Sequence, residues 1–73
     1  METIEAVITK VVLKKGYVVT KPRTGIKESV TFTLSKEVWI SEIQPRNGMI
    51  IMLENIYRTE QGLRANKASP KAD

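Results

Sequence analysis

Glu28-Ser29-Val30-Thr31-Phe32-Thr33-Leu34-Ser35 alternates without a break: Val30, Phe32 and Leu34 are apolar, and Ser29, Thr31 and Thr33 between them are polar. A period of two puts the apolar set on one side of a pleated strand and the polar set on the other, the pattern of a half-buried β-strand. The chain before it reads the same way. Ile4, Ala6 and Ile8 alternate with Glu5, Val7 and Thr9, and apolar residues continue through Val11-Val12-Leu13. Lys14-Lys15-Gly16 is a turn, and Tyr17-Val18-Val19-Thr20-Lys21 is a second strand that stops at Pro22, which has no N–H to give a ladder. Residues 22–27 form a polar loop.

After the quoted stretch the alternation lapses. Ser35-Lys36-Glu37 ahead of Val38-Trp39-Ile40 suits a short helical turn with Ser35 as a weak N-cap. Pro45-Arg46-Asn47-Gly48 signals a turn. Residues 49–57 make a long apolar strand, residues 58–62 another turn and residues 63–68 a short last strand, so that 1–68 is one domain and 69–73 a flexible C-terminal tail. Five strands with one long irregular link between the third and fourth suit a small closed barrel, because closure leaves no unpaired edge. The expected fold is all-β, a five-stranded antiparallel barrel of the OB (oligonucleotide/oligosaccharide-binding) type. An SH3-like barrel has the same strand count. The expected core is Ile8, Val18, Val30, Phe32, Leu34, Ile51 and Leu53.

The chain has 73 residues, with no cysteine and no histidine. A chain of this size buries only roughly 60% of its unfolded surface. Disulfides, thiolate nucleophiles, imidazole bases and Cys/His zinc sites are all excluded, so apolar packing alone must hold the fold. Enzymatic chemistry finds no support: the glutamates are scattered, the single aspartate is Asp73, and no phosphate-cradling glycine loop occurs. No cofactor is implied. No apolar run nears the ~20 residues of a membrane span, and Met1-Glu2-Thr3 lacks the basic and apolar regions of a signal peptide, so a cytoplasmic protein is expected.

Charge is unevenly spread. Residues 6–27 contain no acid but carry Lys10, Lys14, Lys15, Lys21, Arg23 and Lys27, a local charge of +6 within a chain of net charge +4. Such a run is either a solvated face or an anion-binding surface.

Four stretches, in order, resemble the cold-shock domain. Lys15-Gly16-Tyr17-Val18-Val19-Thr20 is similar to its first nucleic-acid-binding motif, K-G-F-G-F-I. Ser29-Val30-Thr31-Phe32-Thr33-Leu34-Ser35 sits where that family has D-V-F-V-H-F-S. Pro45-Arg46-Asn47-Gly48-Met49-Ile50-Ile51 looks like its turn into the fourth strand, and Gly62-Leu63-Arg64-Ala65-Asn66-Lys67-Ala68 like its closing G-P-x-A-x-N-V. The resemblance spans residues 6–68. It implies an OB barrel that binds single-stranded RNA or DNA on an exposed aromatic face, as an RNA chaperone or a modulator of transcription. The site it implies, together with the basic run, comprises Lys10, Lys14, Lys15, Tyr17, Val19, Lys21, Arg23, Lys27, Thr31 and Thr33.

The carry-over is partial. Tyr17 keeps a ring where the family has its first motif phenylalanine, but Val19 replaces the second. Lys10 and Val11 stand for a tryptophan and a phenylalanine, and Thr31 and Thr33 for a phenylalanine and a histidine. With base stacking at roughly 1–3 kcal/mol per ring, losing four or five rings costs thousands-fold in affinity unless cations compensate. Two readings follow: a salt-sensitive, electrostatically driven single-strand binder, or a barrel turned to a protein partner or to self-association. For the second, Trp39, Ile50 and Met52 are the candidate contacts. Ile50 and Met52 should point outward if Ile51 and Leu53 point inward. Trp39, between Val38 and Ile40, fits better as a plug in one end of the barrel, its indole N–H on a carbonyl. Tyr57 closes the fourth strand; it either packs its body and wets its hydroxyl or adds a second ring to the basic face.

Overall fold

The computed structural model describes residues 3–23 and 25–71. Five strands, β1 (Thr3–Val12), β2 (Tyr17–Pro22), β3 (Val30–Thr33), β4 (Ile50–Thr59) and β5 (Gly62–Pro70), close into a barrel in the order β1-β2-β3-β5-β4. The strand count and the long link between β3 and β4 are as the sequence implies, and the order is of OB type. One expectation needs correcting: the barrel is not purely antiparallel, because β3 and β5 run parallel, with Val30 beside Leu63 and Thr31 beside Arg64. The long link makes this possible, since it carries the chain across one end of the barrel before β4 starts.

β1 is long because it serves two neighbours, pairing with β4 from Thr3 to Val7 and with β2 from Ala6 to Val12. The register slips by one residue between Ile8 and Lys10, where Thr9 is extra and its hydroxyl donates to the Val19 carbonyl at 3.2 Å. A bulge of this kind bends the strand and exchanges its faces, which is how β1 turns from one sheet partner to the next. Ala6 and Ile8 therefore point inward on one side of it, and Val11 on the other.

Ile8, Val18, Val30, Phe32, Ile51 and Leu53 are fully buried, as the alternation requires. Leu34 is only half-buried against them. β3 stops one residue earlier, and the Leu34 N–H crosses to the Gly16 carbonyl at 2.8 Å. Ala6, Trp39, Ala65 and Ala68 complete the core. Thr20 is buried too, with its hydroxyl donated to the Val30 carbonyl at 2.8 Å, so the buried oxygen is satisfied.

Residues 35–39 make a single turn, held by Val38 and Trp39 N–H groups on the Ser35 carbonyl at 3.1 and 2.8 Å. The turn delivers Trp39 to the barrel end. Its ring stacks on Phe32 (centroids 5.7 Å apart, 11° between planes) and its indole N–H donates to the Ile43 carbonyl at 2.8 Å. The link is pinned to β5 by Ile40 N–H to Ala68 C=O at 2.9 Å and by Ala68 N–H to Val38 C=O at 2.8 Å.

The last strand is longer than the sequence implies. Ser69 and Pro70, expected in a frayed tail, pair with Met52 and Ile51, and the Lys71 ammonium reaches Glu5 at 2.7 Å. Ala72 and Asp73 of that tail lie outside the described residues. Among the described residues, no helix is long and apolar enough to cross a membrane.

Candidate nucleic-acid interface

β2 and β3 turn their second faces outward. Val18 opposite Phe32 and Thr20 opposite Val30 are buried, so Tyr17 opposite Thr33 and Val19 opposite Thr31 face solvent. The second of these rows continues across the barrel. Val19 also pairs with Lys10 of β1, Thr31 lies beside Arg64 of β5, and Arg64 is opposite Tyr57 of β4. The outer row thus reads Lys10, Val19, Thr31, Arg64, Tyr57 across all five strands.

A groove of about 380 Å³ opens on this face, lined by Lys15, Gly16, Tyr17, Thr31, Thr33, Gln61 and Arg64. The β1–β2 turn supplies Lys15 and Gly16, and the β4–β5 turn supplies Gln61. These two loops and the β2–β3 face are where OB barrels bind extended polymers. Gly16 has φ of +73°, a left-handed conformation open to glycine, and its N–H returns to the Val12 carbonyl at 2.9 Å. That tight turn sets Lys15 at the mouth of the groove. On the opposite side the Arg64 guanidinium donates to the Thr33 hydroxyl at 3.0 Å, which holds the long side chain along the groove with most of its donors uncommitted.

Of the residues singled out in the sequence, Lys15, Tyr17, Thr31 and Thr33 come together in the groove, with Val19 and Lys10 beside it in the same row. Lys14 stands exposed in the adjoining turn, and Lys21, opposite Val7, is exposed further along β2. Two members do not join them. Lys27 lies in the β2–β3 loop, outside the ladders that build the groove. Arg23 is tied to Glu5 at 2.8 Å, and the Lys71 ammonium hydrogen-bonds the other oxygen of that carboxylate. Chiefly through Lys71, and then through Arg23, the Glu5 carboxyl is held below its ordinary value. Arg58 is similarly occupied: it grips Glu28 with two nitrogens at 2.7 and 3.2 Å, which lowers the carboxyl and raises the guanidinium.

Arg64 and Gln61 are the residues that sequence reasoning missed. Arg64 lies far along the chain from the basic run, yet a signal existed: Leu63 and Ala65 flank it as inward apolar residues, so a strand there must point Arg64 outward.

Of the candidate protein contacts, Trp39 is 8% exposed and belongs to the core. Ile50 and Met52 point away from it, as Ile51 and Leu53 require, but they are half-buried beside Val7, Glu5 and Ser69. Among the described residues, the large apolar side chains that stand exposed are Leu13, Ile40, Ile43 and Tyr57.

No protein-family model matches this chain, and no curated protein or solved structure matches it at a significant level, so the fold and the geometry of this face carry the functional reading.

Proposed function

We propose that this chain is a single-stranded nucleic-acid-binding domain that uses the β2–β3 face, in the manner of the cold-shock domains it resembles, as an RNA chaperone or a modulator of transcription. The observation that supports it best is the groove itself: a ring (Tyr17), two hydroxyls (Thr31 and Thr33) and two cations (Lys15 and Arg64) converge with no acid among the lining residues. Tyr17 offers a π-face to a base of any identity, the hydroxyls offer donors and acceptors to sugar and base edges, and the cations neutralise phosphates. Binding of this kind is weak, tolerant of sequence and sensitive to salt. Titration of the full chain against a fluorescently labelled single-stranded octanucleotide at low salt tests it. Saturable binding that weakens in Tyr17→Ala supports the reading. No change in anisotropy up to high micromolar protein overturns it.

A second reading, an adaptor that binds a protein of the transcription or translation machinery or pairs with its own copy, draws on Ile40 and Ile43, exposed at 51% and 52% on the β3–β4 link. An oligomeric state that is lost in Ile43→Lys, together with failure of the octanucleotide titration, would favour it.

A further inference from the structure

Strict alternation along β4 would bury Tyr57. Ile51 and Leu53 are inward, so a period of two would send residues 55 and 57 inward as well. The strand does not keep that period. Asn55 takes φ of +54°, in the left-handed region, and the next inward residue is Ile56, which packs on the core opposite Ala65. β5 makes the matching step: its buried residues Ala65 and Ala68 are three apart rather than two. The register between the strands is kept while both exchange faces at Asn55 and Asn66, and Tyr57 and Arg64 emerge together on the outer surface. Tyr57 is 47% exposed there. Asparagine is among the few non-glycine residues that take the left-handed region readily, so the step that re-aims the residues after it is made here at small cost.

We propose that Tyr57 is a second stacking platform, and that a single strand crosses the barrel from Tyr17 on β2, over Arg64 on β5, to Tyr57 on β4. This rests on the nucleic-acid reading above and assigns that site its extent. Neighbouring strands are about 4.8 Å apart, so the three steps from β4 through β5 and β3 to Val19 on β2 span roughly 14 Å, and the two residues from Val19 to Tyr17 bring the separation of the rings to roughly 16 Å. Bases stacked on one another rise by about 3.4 Å each, so about five such rises, or six nucleotides of stacked strand, cover the span, and fewer when it is drawn out. Arg64, opposite Tyr57 in register and with its guanidinium bonded to Thr33 opposite Tyr17, lies between the two rings and meets the phosphates between the two stacked bases. The ligand class is an unpaired strand long enough to reach both rings, about six nucleotides when its bases stay stacked, since a duplex keeps its bases stacked on each other and offers neither ring a face.

The test is the labelled octanucleotide at low salt, with Tyr17→Ala, Tyr57→Ala and Tyr57→Phe alongside the unaltered chain, each checked for an unchanged melting curve. Tyr57→Ala is expected to weaken binding roughly 5- to 150-fold, the range for one lost base–ring stack, and Tyr57→Phe to retain it. If Tyr17→Ala weakens binding and Tyr57→Ala changes it less than twofold, the crossing track is wrong and the groove reading stands. If Tyr57→Phe loses as much as Tyr57→Ala, the ring does not act by stacking. If the unaltered chain does not bind, both readings fall.

Discussion

Salt sensitivity separates a designed anion surface from a merely basic chain, and the structure sets its size. Among the described residues, Lys10, Lys14, Lys15, Lys21 and Arg64 stand on or beside the outer face with no ion-pair partner, whereas Arg23 and Arg58 are held by Glu5 and Glu28. For single strands log K falls with log salt by roughly 0.7 per neutralised phosphate, so five contacts give a slope near −3.5. Between 50 and 200 mM salt that amounts to a loss of roughly 100-fold. Arg64→Gln is expected to reduce the slope by about 0.7 and to weaken binding at low salt. Arg58→Gln removes the same formal charge from a guanidinium already engaged by a carboxylate, and releases Glu28; its slope should stay where it was. The assay is fluorescence anisotropy on the octanucleotide at five salt concentrations. A slope shallower than about −1, or equal changes from Arg64→Gln and Arg58→Gln, would refute the assignment of the face and leave only bulk charge.

The other expectations concern the scaffold. Trp39→Ala removes the ring that stacks on Phe32 and should cost about 3 kcal/mol or more, lowering Tm by at least roughly 12 °C in circular dichroism melts; Trp39→Phe keeps the stack, loses the bond to the Ile43 carbonyl, and should cost about 1 kcal/mol for that bond. Glu5 and Glu28 have carboxyls lowered in the fold, so their contribution is complete above the ordinary value of 4.5 and fades as pH falls through the lowered one; Glu5→Gln should flatten the acid limb of a Tm–pH profile, with Tm lower than the parent's by a constant amount above the ordinary value and converging with it at low pH. Asn55→Val should destabilise by about 1–2 kcal/mol, because a β-branched residue resists the left-handed region, while Asn55→Gly should lie within a few tenths of the parent; equal losses in urea melts would mean that the Asn55 side chain, not its backbone, is what matters.

Much of the fold is legible because alternation is a local property. Val30 and Phe32 announce their burial to anyone reading five residues, and Ile51 and Leu53 do so through the parity of their strand. The Trp39 plug is legible as well, since a large ring among apolar neighbours on an irregular link has one obvious place to go. Leu34 shows where the method fails. It continues the parity of Phe32 faultlessly, but strand length is set by partners, and at that point the backbone leaves β3 for the β1–β2 turn. The parallel β3–β5 pair is invisible for the same reason: orientation depends on which end of the barrel the long link reaches.

The site is less legible, and the cause is physical. A basic run is contiguous in sequence, whereas a binding face is contiguous across strands, so the run both includes residues that leave the face and omits residues that join it. Arg23 leaves because β1 brings Glu5 to the end of β2, and Lys27 because its loop is outside the ladders. Arg64 joins from the far end of the chain through the parallel pairing that the alternation could not specify. Tyr57 joins through two face exchanges, at Asn55 and Asn66, that act together; either one alone would leave Tyr57 and Arg64 on opposite sides of the sheet. The proposed stacking and phosphate contacts therefore rest on backbone steps at residues outside the proposed contact set, and a substitution at Asn55 or Asn66 re-aims the face as surely as one at Tyr57 or Arg64.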